Sequence, residues 1–313
     1  MDGLEDNIVG SLFLQHGEDN GYNPEDFIQE IDVDDITPHF RISVADDDGG
    51  IPGSLFACAV WNGAVGGMSQ QLYFLIAIIR LFIAIHFARY PNLVKGRTVV
   101  EFGAASALPS LVALHFGAKM AVMTGETWLL CFSLGFYHVV TGSSFCLDYP
   151  NELLLKNIAS NIHRNESLLG NGRHEVCGHL WGSDTAGLLR CLDESQCVKT
   201  SMSEGEDLRR MDVKTRFDVA VVAECLWLHH LHEDLLKSID SCLTPCGKAF
   251  VSFAHHVPGH EQNDLSFFTK AKKLYGFNAV HLDTLASPHV FNADLFVDQY
   301  LYVLTRSNEN SSN

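Results

Sequence analysis

The stretch Val99–Thr124, "VVEFGAASALPSLVALHFGAKMAVMT", decides the fold. A β-branched run ends at Glu101-Phe102. Small residues follow at Gly103, Ala104 and Ala105, then a helical pattern opens at Leu108-Pro109. A second apolar run closes at Met120–Met123. Strand, tight turn, helix and strand in that order predict a parallel βαβ unit. The small residues let the backbone approach a ligand, and the amides at the helix start favour polar groups there. The full GxGxxG is missing, so a dinucleotide reading loses ground. Any tight strand-to-helix turn also favours small residues, so the stretch alone does not establish a binding site.

Outward from this unit the alternation continues. Strands are predicted at Thr98–Phe102, Met120–Met123, Glu175–Leu180, Phe217–Ala223, Lys248–Ala254, Phe277–Leu282 and Gln299–Thr305. Helical patterns follow most of them: "LPSLVALHFGA", "NELLLKNIASNI", "HEDLLKSIDSCL" and "LSFFTKAKKLYG". The expected fold is α/β, a seven-stranded, mostly parallel sheet with helices on both faces. Residues 1–50 are acidic and weakly periodic and read as a largely flexible arm with one short helix or strand. Residues 51–306 form the domain, and 307–313 a disordered tail.

The chain has 313 residues, net charge −17 and 47% hydrophobic residues. That composition suits one large domain and argues against nonspecific nucleic-acid binding. It favours a basic partner through steering, or serves solubility alone. Nine cysteines without a CxxC pair fit a reducing compartment. No signal peptide is visible, so a cytoplasmic location is expected.

Two segments break the rhythm. One is "QQLYFLIAIIRLFIAIHF" at 70–87, with Arg80 inside it. The other is "ETWLLCFSLGFYHVVTGSSFCL" at 126–147, with His138 inside it. A charge or polar groups within each argue against membrane spans. A nucleoside site of this kind needs an acid about 20 residues beyond the glycines, at the end of the next strand, to hold the ribose. Asp148 lies about 45 residues beyond Gly103. Removing 125–147 joins Thr124 to Asp148 and restores the spacing. The codons allow this: Gly125-Glu126 can be written G-GTGAG, a donor site, and Leu147-Asp148 CTAG-AT, an acceptor site. The same reading applies to 67–83, where Gly67-Met68-Ser69 can be G-GTATGT and Ile83-Ala84 ATAG-C. Both segments are therefore expected to be translated introns or, failing that, true insertions.

With those pieces joined, the chain resembles the family-16, lysine-methyltransferase-like group of S-adenosyl-L-methionine enzymes. The resemblance rests on "SLFACAVWNGA", "LVKGRTVVEFGAASALPSLVALHFGAK", "DYPNELLLKNIASNI", "HLWGSD", "FDVAVVAECLWLHHLHEDLLKSI" and "GKAFVSFAHHVPG". It implies a class I (Rossmann-like) methyltransferase whose last strand runs antiparallel. It implies S-adenosyl-L-methionine as cofactor, with Trp61 near its methionine end and Gly103, Ala104 and Ala105 beneath it. Glu101 would orient the turn or the amino group, Asp148 would hold the ribose, Trp181 would lie against the adenine and Ala223 would line the cleft. Trp61 and Trp181 have an alternative reading as core aromatics, Asp148 as a helix cap and Ala223 as plain strand packing.

Glu224 and Trp227, in "ECLW", fall where the group places an acid and an aromatic beside the target amine; the group more often has Tyr or Phe there. The catalytic pair is thus expected to be Glu224 and Trp227, although Glu224 also reads as a helix cap. A free lysine has a pKa near 10.4, so the amine must lose a proton before it attacks. Burial against an aromatic wall disfavours the ammonium, and orientation is expected to dominate, without a strong general base. His229, His230, His232, His255 and His256 do not make a metal spacing; His255 and His256 are expected to edge the substrate cleft. The resemblance implies methylation of a lysine or α-amino group on a protein, with translation elongation factor 1-alpha as the first substrate to test, by a monomer without membrane attachment. Small-molecule, nicotinamide-like N-methylation and an inactive scaffold are the alternatives.

Overall fold

A computed structural model describes residues 28–31, 39–43, 81–125, 152–193, 216–255, 259–289 and 292–306. Seven strands form one sheet: β3 (Thr98–Phe102), β4 (Met120–Gly125), β5 (Arg173–Gly178), β6 (Phe217–Ala223), β7 (Leu243–Ala254), β8 (Phe277–His289) and β9 (Asn292–Arg306). Their spatial order is β5-β4-β3-β6-β7-β9-β8. The pairs from β5 to β7 are parallel, and β9 is antiparallel to both β7 and β8. This is the mostly parallel α/β sheet that the alternation of elements predicts, with the reversed last strand that the resemblance implies.

Successive side chains of the central strands enter two different cores, so both faces of the sheet are buried. Val99, Ala121, Met123, Val219 and Val221 face one core, and Val100, Met120, Val122, Ala220 and Val222 face the other. The first core is closed by a helix over residues 81–89 (α1) and by α2 (Leu108–His115) and α3 (Glu152–Arg164). The second is closed by α4 (Ala186–Arg190), α5 (His232–Cys242) and α6 (Glu261–Tyr275).

Within the stretch expected to be an arm, β1 (Ile28–Ile31) and β2 (Phe40–Ser43) pair antiparallel. Phe40 and Ile42 of β2 are buried in the first core. Asn165 grips the Arg41 backbone from both sides: Arg41 N–H donates to Asn165 Oδ1 at 2.7 Å, and Asn165 Nδ2 donates to Arg41 O at 2.8 Å. In α1, Phe82 and Ile83 are buried and Phe87 packs edge-on against Phe250 at 5.3 Å. No described helix is long and apolar enough to cross a membrane.

Candidate functional site

The chain runs from β3 outward to β4 and β5, then returns to β6 on the other side of β3. That reversal opens a crevice at the carboxyl ends of β3 and β6, the usual ligand position in such sheets. Gly103 leaves β3 there with φ +65. Its N–H donates to Thr124 Oγ1 at 3.3 Å, and Ala104 N–H donates to Thr124 O at 2.8 Å. The turn is therefore tied to the end of β4. Helix α3 ties it from the other side: Asn157 Nδ2 donates to Ala105 O and Asn161 Nδ2 to Ser106 O, both at 3.1 Å. Ala105 and Ala107 hold φ +45 and +62, a left-handed conformation that costs an alanine about 1–2 kcal/mol.

Glu101 is fully buried and its Oε2 accepts from both N–H and Oγ–H of Ser110, at 3.1 and 2.5 Å. It thereby fixes the first turn of α2 behind the bend. Of the two roles expected for Glu101, the geometry supports orienting the turn.

Trp181 sits across from the bend. A Cβ added at Gly103 would lie 3.6 Å from Trp181 Cζ2 and 3.4 Å from Cys225 Sγ. The turn bearing Trp181 is pinned to α5. Gly182 N–H donates to Ser238 Oγ at 2.8 Å, Lys237 Nζ donates to Gly182 O at 2.7 Å, and His179 Nε2 bonds Ser238 Oγ at 2.9 Å. Burial lowers the His179 pKa to about 4, so its ring is neutral near pH 7. Two buried donors at this bend, Trp181 Nε1 and Ser106 Oγ, have no partner among the described residues. Buried polar groups are rarely left so, and each is a place where a bound polar ligand or a water would bond.

Ala223 ends β6, fully buried and paired with Ser252 of β7. Glu224 follows with φ +58, its N–H donating to Ser252 O at 2.9 Å. It does not cap α5, whose cap position is Leu231. Trp227 Nε1–H donates back to Glu224 O at 3.0 Å, so the "ECLW" loop fixes its own indole, half-buried beside the crevice. Gly103, Ala104, Ala105, Trp181, Ala223, Glu224 and Trp227 thus gather at one end of the sheet. Trp61, Asp148 and His256 lie outside the described residues.

Sequence reasoning missed Asp264. This residue of α6 is 4% exposed and bridges two imidazoles: Oδ1 lies 2.7 Å from His229 Nε2, and Oδ2 lies 2.7 Å from His255 Nδ1. Its only sequence signal is an acid in the first turn of a helix, which by itself reads as a dipole contact. His232, beside the pair, is fully buried; burial lowers its pKa to about 4, and its Nε2 meets Leu226 O. Among the described residues no three His, Cys, Asp or Glu side chains assemble into a metal-binding group.

No family model matches the chain. It is 30% identical over 216 residues to the protein N-terminal and lysine N-methyltransferase EFM7 of Candida glabrata, covering 68% of this chain and 67% of that protein. The efm7 protein of the same description from Neurospora crassa is 32% identical over 226 residues, 70% of this chain and 61% of that one. The EFM7 of Eremothecium gossypii is 29% identical over 237 residues, 72% of each. Among solved structures, CrArsM, an arsenic(III) S-adenosylmethionine methyltransferase from Chlamydomonas reinhardtii, aligns at TM-score 0.41 and 11% identity. That alignment covers 69% of this chain and 65% of CrArsM.

Proposed function

The chain belongs to the EFM7 family of protein N-terminal and lysine N-methyltransferases, and on that premise we propose that it methylates an α-amino or lysine amine of a protein, with S-adenosyl-L-methionine as donor. The observation that carries the reading is the Gly103 bend. It faces an aromatic floor at Trp181, lies beside the acid and indole of Glu224 and Trp227, and retains two buried donors in want of acceptors.

The residues present fit the cofactor. Gly103 offers a left-handed bend that brings bare backbone to the crevice, and Trp181 offers a ring beside it and an unused N–H. The donor supplies a methyl group on a sulfonium. The protein must hold an uncharged amine in line with that methyl, and most of the acceleration then comes from orientation. The Trp227 indole, fixed on Glu224 O, supplies a rigid wall, and loss of water from an amine packed against it disfavours the charged ammonium. Trp61 near the methionine end and Asp148 on the ribose complete the proposed site, and membership of the wider family-16 grouping is part of the same proposal.

Translation elongation factor 1-alpha is the protein substrate we propose to test first. A net charge of −17 suits a basic partner through steering. A monomer acting in the cytoplasm without membrane attachment is part of the same proposal. The experiment is transfer of tritiated methyl from S-adenosyl-L-methionine into a whole lysate and into the purified factor, resolved by gel. Label in a protein band, mapped to a lysine or an N-terminus, is expected. Label confined to small molecules would overturn the reading in favour of nicotinamide-like chemistry, and no label at all in favour of a scaffold.

The scaffold reading has one feature in its favour, the interruption between β4 and α3. We propose that 125–147 is a translated intron; 67–83 runs into α1, whose Phe82 and Ile83 are buried in the first core, and there a true insertion is the better reading. The support is positional. Strand β4 ends at Gly125, and α3, beginning at Glu152, already holds the glycine turn through Asn157 and Asn161. A βαβ unit needs only a short link between those elements. Sequencing transcripts across both junctions decides it, and the absence of any shorter message would refute it.

A further inference from the structure

The Asp264 bridge points beyond positioning. β6 and β7 run side by side with Ala223 opposite Ser252, so the loop bearing Trp227 and His229 and the loop bearing His255 leave the sheet at the same edge. One carboxylate from α6 joins them, reaching His229 and His255 at 2.7 Å each. Its own side chain is 6% exposed, against 26% for His229 and 20% for His255. The acid is buried, and the rings it holds are partly exposed at the carboxyl end of the sheet, where the crevice lies.

The chemistry of the bridge fixes which ring nitrogens are free. A carboxylate only accepts, so the nitrogen facing it on each ring carries the hydrogen. His255 therefore donates Nδ1–H to Asp264, and in the neutral ring Nε2 keeps its lone pair. His229 donates Nε2–H and keeps its lone pair at Nδ1, the nitrogen nearest its own backbone. Nε2 of His255 is the distal tip of its ring and has no hydrogen-bond partner among the described residues. The ring is held in place by Phe253 and Tyr300, both with centroids at 5.4 Å. A carboxylate orienting an imidazole whose far nitrogen is open is the arrangement of a general base.

We propose that His255 is the base that takes the proton from the incoming ammonium, and that Asp264 is its positioning residue. The inference rests on the reading of the chain as an amine methyltransferase. In the step, one N–H bond of the ammonium breaks and its electron pair stays on nitrogen as the attacking lone pair. A bond forms between that proton and His255 Nε2. The imidazolium so made lies against the Asp264 carboxylate, which stabilises it, and returns its proton to solvent after transfer. Other charged and titratable groups surround the bridge: Glu261 on α6 beside His255 and Asp264, His232 at the start of α5 edge-on to His229 and itself near Lys270, His230 beside His229, and Tyr300 on β9 against His255.

The test compares the full chain with His255→Gln, Asp264→Asn and Asp264→Glu, using a lysine or N-terminal peptide acceptor from pH 6 to 10. At pH 7, His255→Gln is expected to lose at least about 100-fold in kcat/KM. The gap should narrow toward high pH, where solvent deprotonates the amine. Asp264→Asn should shift the acid limb of the profile, and Asp264→Glu should restore part of it. Donor binding by calorimetry should stay within about twofold in all three, which excludes misfolding. A nitrogen-15 spectrum of the unaltered protein should show His255 protonated at Nδ1 and bare at Nε2, and Asp264→Asn should mix the tautomers. An unaltered rate in His255→Gln, a loss independent of pH, or the opposite tautomer would each overturn this inference alone. No transfer by the unaltered chain to any protein acceptor would overturn the function itself, and this inference with it.

Discussion

Replacing Gly182 with alanine tests how the floor of the cleft is built. Gly182 has φ +79, and a Cβ there would meet Asp234 of α5, with Cγ at 2.8 Å and Cβ at 2.9 Å. The left-handed backbone costs an alanine about 1–2 kcal/mol. Crowding into the root of the Asp234 side chain adds about 1–3 kcal/mol, because that root cannot swing away. The sum is roughly 2–5 kcal/mol, at about 2–4 °C of melting temperature per kcal/mol. The turn would move away from α5, loosening the bonds to Ser238 and Lys237 and carrying Trp181 with it, so donor affinity should fall alongside stability. Urea unfolding and calorimetric titration of Gly182→Ala, Asp234→Gly and the double variant form a cycle. The double variant lacks the obstructing side chain and should recover the crowding part, a coupling of about 1–3 kcal/mol, while keeping the backbone part. Strict additivity of the two single losses would refute the steric argument.

Deleting 125–147, which joins Thr124 to Asp148, should raise affinity for S-adenosyl-L-methionine at least about tenfold by giving the ribose its acid at the customary spacing; calorimetry on both chains reads it. Glu101→Ala strips a buried acceptor from the Ser110 N–H and hydroxyl and should cost roughly 3 kcal/mol in urea unfolding. The two buried histidines make the fold sensitive to acid. Burial lowers His179 and His232 to about 4, below the ordinary 6.5, so the unfolded chain takes up protons that the folded chain refuses. Their stabilising effect is complete above about pH 6.5 and is lost as pH falls toward 4, by about 1.4 kcal/mol per pH unit for each. Unfolding free energies at pH 7 and 5 should differ accordingly, and His232→Gln should flatten the slope.

The central strands were legible because two-sided burial writes them as apolar runs, each interrupted by a single acid, Glu101 or Asp218: β3 and β6 match the sequence reading residue for residue. The outer strands were less so. β7 begins at Leu243, where "TPCG" reads as a turn; the register slips between Phe217 and Val219, and that slip absorbs the proline and glycine. β8 and β9 run on to His289 and back from Asn292; Asp283 and Pro288, residues with little strand preference, are held there by pairing with Leu301 and Phe296. The site was visible where it is local. The glycine bend, Trp181 and the "ECLW" loop stood out as motifs. The bridge from Asp264 did not, because its partners lie 35 and 9 residues away and only the folded sheet brings them together.

The last strand made is not the last in space. β9 threads between β7 and β8, bonded to both. While the chain is still emerging from the ribosome, β7 therefore presents a raw edge of unpaired amides and carbonyls, and it keeps that edge until the stretch ending at Arg306 has been released. Any message cut short before Asn292 would yield a product whose open flank can recruit strands from its neighbours, and such fragments should clump rather than merely lose activity.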